Sequence, residues 1–128
     1  MTGFIHRFAG SHILVVEDEY LLADEIRQLL EAAGAVVVGP VATVADALTL
    51  LDEERVDAAI LDVHLGDELV FPVAEELENR LVPFVFATGY DPAFIPARYS
   101  GFALCEKPAE LSKIAQALFG SAESGGAH

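Results

Sequence analysis

The feature that most constrains this chain is an alternation, repeated from Ile13 to Leu118, between short apolar runs and longer segments whose apolar residues recur at helical spacing. Such a rhythm belongs to a parallel α/β fold, in which crossover helices cover both faces of the sheet. Ile13-Leu14-Val15-Val16 reads as a strand buried on both faces and ends in Glu17-Asp18. Leu22, Ile26, Leu29, Leu30 and Ala33 then form one apolar stripe of a helix that Gly34 would close. Ala35 to Val41 is a second strand, and Gly39-Pro40 inside it would remove a ladder hydrogen bond, which predicts a place at the sheet edge.

Thr43 followed by Asp46 resembles a capping box, opening a helix with Val44, Ala47, Leu48 and Leu51 on its inner face. Ala58-Ala59-Ile60-Leu61 is a third strand that ends at Asp62. After a Gly66-Asp67 turn, Val70, Val73, Ala74, Leu77 and Leu81 mark a third helix, with Pro72 tolerated in its first turn. Phe84-Val85-Phe86-Ala87 is a fourth strand, ending at Thr88. Pro92, Pro96 and Gly101 in the connection 89–101 predict a short or frayed fourth helix. Phe102 to Glu106 is a fifth strand before Lys107, and Leu111, Ile114, Ala115 and Leu118 a fifth helix. The division expected is an N-terminal extension over 1–11, one folded domain over 12–119, and a disordered Gly/Ser tail over 120–128. A chain of 128 residues has the size of one domain with a sizeable core.

Four of the five strands end in polar residues with chemical uses. In an open parallel sheet, ligands bind outside the carboxyl ends of the strands, where strand order reverses. The order 2-1-3-4-5 puts the proline-bearing strand at an edge and the reversal between strands one and three. Glu17, Asp18 and Asp62 then crowd one crevice. Clustered carboxylates raise one another's pKa or are neutralised by a cation, and hard oxygen donors at a shallow site suit Mg²⁺. With such an ion in place Asp62 is the natural nucleophile toward a phosphoryl group. Thr88 would offer a hydroxyl donor and Lys107, one of only two lysines, a cationic one. Taken singly, a strand-terminal aspartate reads more readily as a helix cap or a solvated turn residue; the set together reverses that judgement.

In order and spacing, ILVVEDE, an aspartate after AAIL, FATG and EKP resemble the response-regulator receiver family, of flavodoxin-like fold, over roughly residues 12 to 119. Carried over, the resemblance implies Asp62 as phosphoacceptor, Asp18 as a direct metal ligand, Glu17 as a ligand through water, and the main-chain carbonyl of His64 as a further ligand. It also implies Thr88 as switch hydroxyl, Lys107 as phosphate-binding lysine, and a cis Lys107-Pro108 peptide. Residues 83–90, PFVFATGY, match the PFxFATGY motif of receivers similar to partners of HWE-type sensor histidine kinases. Where the family carries an aromatic rotamer switch this chain has Leu104, so the expected relay passes to Tyr90, Phe84 or the 89–101 segment.

The function expected is that of a single-domain response regulator in a two-component phosphorelay, which takes a phosphoryl group from a kinase phosphohistidine and changes its protein contacts. The reaction is self-catalysed and stoichiometric, with autodephosphorylation, so no turnover enzyme is expected. Two alternatives stand beside it. A haloacid dehalogenase-like phosphatase also uses an aspartate nucleophile with Mg²⁺, but it has a second aspartate where this chain has His64. A phosphorylation-independent interaction module would need none of the set. With 21 acidic against 7 basic residues, a formal charge of −14 argues against nucleic-acid and anionic-membrane partners and leaves a protein effector. His6 and His12 lack metal-type spacing, the lone Cys105 reads as packed, and Glu106 as a charged neighbour of Lys107. No apolar stretch approaches membrane-spanning length and Met1 to His12 lacks a signal-peptide core, so a cytoplasmic location is expected. No Walker loop, GxGxxG, GxSxG or paired CxxC occurs.

Overall fold

The structure is a computed structural model that describes residues 5–87, 104–105, 114–115 and 118–119. Its centre is a parallel sheet with strands β1 (His12–Val16), β2 (Val36–Val41), β3 (Ala58–Leu61) and β4 (Phe84–Ala87) in the spatial order β2-β1-β3-β4. Leu104–Cys105, the described part of a strand β5, pairs in parallel beside β4. Helices α1 (Tyr20–Ala32), α2 (Val44–Glu53) and α3 (Phe71–Asn79) connect the strands.

Side chains alternate across a strand, so each strand feeds two cores. Leu14, Val16, Ala59, Leu61, Phe84 and Phe86 face α2 and α3 and pack on Ala47, Leu51, Val73 and Leu77. Ile13, Val15, Ala58, Ile60, Val85 and Ala87 face α1 and pack on Ile26 and Leu30, and on Ile114, Ala115, Leu118 and Phe119. A sheet covered on both faces explains why the strands read as unbroken apolar runs. Phe8, on a 3-10 turn Ile5–Phe8, is fully buried in the second core and meets the Phe119 ring edge-on at 5.3 Å between centroids. The segment read from sequence as an extension thus adds a side chain to the core.

Strand β2 lies at the sheet edge, as Gly39-Pro40 requires. Leu14 is opposite Val38 but Val16 is opposite Val41, so β2 carries one extra residue at Gly39-Pro40, a cis peptide. Gly39 has φ +94°, and a Cβ there would lie 2.9 Å from the Val41 nitrogen.

Three elements differ from the sequence reading. In α1 the buried face is Ala23, Ile26 and Leu30, while Leu29 is exposed, because the apolar stripe is narrower than the sequence spacing implied. Helix α3 stops at Asn79, and Leu81, expected on its apolar face, stands in the left-handed region at φ 59° and is exposed. Between β3 and α3 the chain makes an antiparallel hairpin, His64–Leu65 against Glu68–Leu69, around Gly66 and Asp67, where only a turn was expected. The expected short fourth helix, the fifth helix's full span and the tail 120–128 fall outside the described residues. Among the described residues no helix is long and apolar enough to cross a membrane.

Candidate acidic metal site

Backbone pairing alone brings the acidic residues together. The Glu17 N–H donates to the Val41 carbonyl at 2.9 Å, extending the β1–β2 ladder by one residue. The Asp62 N–H donates to the Val16 carbonyl at 2.8 Å, which ties the end of β3 to the end of β1. Since β1 and β3 are neighbours, their terminal side chains emerge side by side at the reversal of strand order. Glu17, Asp18 and Asp62 each offer a carboxylate oxygen, and these atoms all lie within 4.8 Å of one another. Glu17 and Asp62 are buried and Asp18 is exposed, so the group opens to solvent on the Asp18 side.

The surroundings hold the carboxylates in place. The Glu19 N–H donates to Glu17 Oε2 at 3.1 Å. The Gly66 N–H, from the hairpin, donates to Asp18 Oδ2 at 2.7 Å. Beside the cluster opens a cavity of about 300 Å³ whose lining includes Glu17, Asp18, Tyr20, Arg27, Pro40 and Val41. Arg27 is held within its own helix, 2.7 Å from Asp24 and 2.7 Å from Glu31. The Arg27 hydrogen bond, helped by Gln28, holds the Asp24 carboxyl below the usual range, and Asp24 in turn raises the Arg27 guanidinium. Arg27 is therefore committed to its helix neighbours.

Three carboxylates converging on one crevice at like-charge distances suit a hard divalent cation held by oxygen donors, with water completing its shell. The structure brings together Glu17, Asp18 and Asp62 as expected and sets His64 two residues beyond Asp62 in the hairpin. Leu104 is described only as the strand residue paired with Phe86. Thr88, Tyr90, Lys107 and Pro108, and with them the expected cis Lys107-Pro108 peptide, lie outside the described residues. Sequence reasoning gave Gly66 only a place in a turn and passed over Glu68. The signal was present, since a Gly-Asp pair between two short apolar runs is a hairpin signature as well as a turn.

Residues 13–118 match the family model described as the response regulator receiver domain. This chain belongs to that family. Among curated relatives, the sensory transduction protein LytT of Bacillus cereus is 36% identical over 110 residues, which cover 83% of this chain and 45% of LytT. The chain thus spans less than half the length of that relative. Among solved structures, SdrG from Sphingomonas melonis Fr1 is 43% identical with a TM-score of 0.75, covering 85% of this receiver and 93% of SdrG. A second SdrG structure, its BeF3-activated conformation from Pseudomonas melonis Fr1, is 39% identical with a TM-score of 0.71, covering 92% and 96%. The response regulator PhyR from Brucella abortus is 29% identical with a TM-score of 0.74, covering 96% of this chain and 54% of PhyR.

Proposed function

We propose that this receiver is a phosphorylation switch of a two-component phosphorelay, in which Asp62 accepts a phosphoryl group from the phosphohistidine of a sensor histidine kinase. The observation that carries the reading is the meeting of Glu17, Asp18 and Asp62, one oxygen from each within 4.8 Å of the others, at adjoining strand ends. Asp18, Asp62, the His64 main-chain carbonyl and, through water, Glu17 would hold a Mg²⁺ ion, which would supply charge neutralisation for the carboxylates and the incoming phosphoryl group.

The protein's own residues do the rest. An Asp62 carboxylate oxygen attacks phosphorus, the bond from phosphorus to the histidine nitrogen breaks, and its electron pair leaves with the imidazole, giving an aspartyl phosphate. Burial of Asp62 at 3% exposure restricts water at the acyl phosphate. Thr88 would donate its hydroxyl and Lys107 its ammonium to phosphoryl oxygens. In the order 2-1-3-4-5 these two groups would flank Asp62 from the fourth and fifth strands. With Leu104 at the position of the family's aromatic switch, Tyr90, Phe84 or the 89–101 segment passes the signal on. The reaction is stoichiometric and self-catalysed, with no turnover enzyme involved.

The partner read from PFVFATGY is a kinase of HWE type, and the output is a changed protein contact in the cytoplasm. SdrG, which has a BeF3-activated conformation, supports a phosphoryl-mimic response in this chain. The test is titration of the full chain with fluoroberyllate and Mg²⁺, followed by amide NMR, together with phosphoryl transfer from a phosphorylated HWE kinase. Saturable shifts around Glu17 and Asp62, and label on wild type but not on Asp62→Ala, are expected. A wild-type chain that neither shifts nor takes label is an interaction module and not a switch.

A further inference from the structure

The β3–α3 hairpin bonds to two segments that follow the ends of β1 and β2. On one side the Gly66 N–H donates to Asp18 Oδ2 at 2.7 Å, gripping a carboxylate of the acidic cluster. On the other, Glu68 Oε2 accepts from the Val44 N–H at 3.0 Å, at the first residue of α2. The first turn of a helix leaves its N–H groups without partners inside the helix. Thr43 Oγ1 takes the Asp46 N–H at 3.1 Å, and Glu68 takes that of Val44, so the cap of α2 is shared between its own residue and the hairpin.

The hairpin is built to carry displacement between these ends. Leu65 is buried in the core that contains α2 and α3, and the Val70 N–H closes the base of the hairpin on the Val63 carbonyl at 3.0 Å. Gly66 and Glu68 flank the one residue Asp67, and Leu65 pairs with Glu68 across the ladder. Through these bonds a shift of Asp18 toward a cation would be passed to Gly66 and on to Glu68.

We propose that the hairpin couples cation binding at Glu17, Asp18 and Asp62 to the N-terminus of α2, giving this receiver a second responsive surface on the α2 side. The inference rests on the metal-site reading above. By linkage, the coupling is reciprocal: loss of the Glu68 cap weakens cation binding at the acidic cluster. A competing path exists, because the Glu17 N–H donates to the Val41 carbonyl two residues before Thr43. Substitution at Glu68 separates the two.

The experiment is a MgCl₂ titration of the full chain followed by amide NMR in wild type, Glu68→Ala and Glu68→Gln. In wild type, the Val44 and Asp46 signals should move with the same midpoint as that of Gly66. In Glu68→Ala, Gly66 should still move, the Val44 and Asp46 responses should collapse, and the midpoint should rise by about two- to fivefold. Glu68→Gln keeps an acceptor oxygen and should restore both. Unchanged Val44 and Asp46 responses in Glu68→Ala, or none in wild type while Gly66 responds, overturn the coupling and leave the metal site standing. If Mg²⁺ moves neither Gly66 nor the amides of Glu17, Asp18 and Asp62, the metal reading itself fails, and the coupling with it.

Discussion

At Leu81 the backbone does what a side chain ordinarily forbids. The Val82 N–H donates to the Leu77 carbonyl at 2.9 Å and the Leu81 N–H to the Glu78 carbonyl at 3.1 Å, the paired bonds of a Schellman ending, and Leu81 occupies its left-handed position at φ 59°. Helix α1 ends the same way, with Ala35 bonded to Leu30 and Gly34 to Glu31, but there the left-handed residue is a glycine. Leu81→Gly is expected to stabilise the fold by about 0.5–1 kcal/mol, since the leucine, 90% exposed, loses little packing, as urea denaturation would measure. The contrast shows what a sequence can convey at this scale: Gly34 announces a helix end, whereas Leu81 at helical spacing reads as one more apolar position. Asp57 contributes one pH dependence. Burial raises its carboxyl, but the His12 N–H bond at 2.8 Å and the Arg55 side chain outweigh it, and its pKa is lowered. A depressed carboxylate stabilises the fold above its unfolded value, about 3.9, and that contribution is lost as pH falls through the folded value. Asp57→Asn should therefore lower stability at neutral pH by no more than about 1 kcal/mol, the site being partly open to solvent, with the difference fading below about pH 4.

Elements carry their own signals unevenly. The cap of α2 was legible because Thr43 Oγ1 accepts from the Asp46 N–H inside a four-residue window, and Thr43→Ala should cost about 1 kcal/mol of stability in thermal or chemical melts. The hairpin was not legible as a device, because its bonds to Asp18 and Val44 cross 48 and 24 residues of sequence, and no local pattern encodes them. Strand β2 lies between these cases: Gly39-Pro40 announced an edge, yet the extra residue appears only once β1 is laid beside it. There Gly39 is demanded twice, by its positive φ and by the 2.9 Å approach of a Cβ to backbone nitrogen. Gly39→Ala is expected to destabilise by about 1–3 kcal/mol. It should also displace Glu17, whose N–H bond to Val41 lies beyond the same bulge, so that Mg²⁺ affinity falls alongside the melting temperature.

Over the whole molecule, the acidic cluster follows from topology more than from any motif. Once β1 and β3 are neighbours, Glu17-Asp18 and Asp62 must meet, which is why the site could be read from strand ends before any distance was known. The second core had no such advertisement, because it closes through residues far apart in the chain. Phe8 has no exposed surface, shares one core cluster with Ile13, Leu30 and Ala35 and meets the Phe119 ring, over which the Arg7 guanidinium sits at 5.4 Å. A 3-10 turn with few apolar neighbours in sequence gives no periodicity, so its burial was invisible. If Phe8 is core, truncation should carry the penalty of an interior aromatic, about 3–5 kcal/mol for Phe8→Ala, with Phe8→Leu costing markedly less because it refills most of the volume. An exposed extension would instead give changes within about 0.5 kcal/mol for both. Since the acidic cluster lies at the opposite, carboxyl end of the strands, Phe8→Leu should leave the Mg²⁺ midpoint at its wild-type value while lowering the denaturation midpoint, which separates loss of packing from loss of the site.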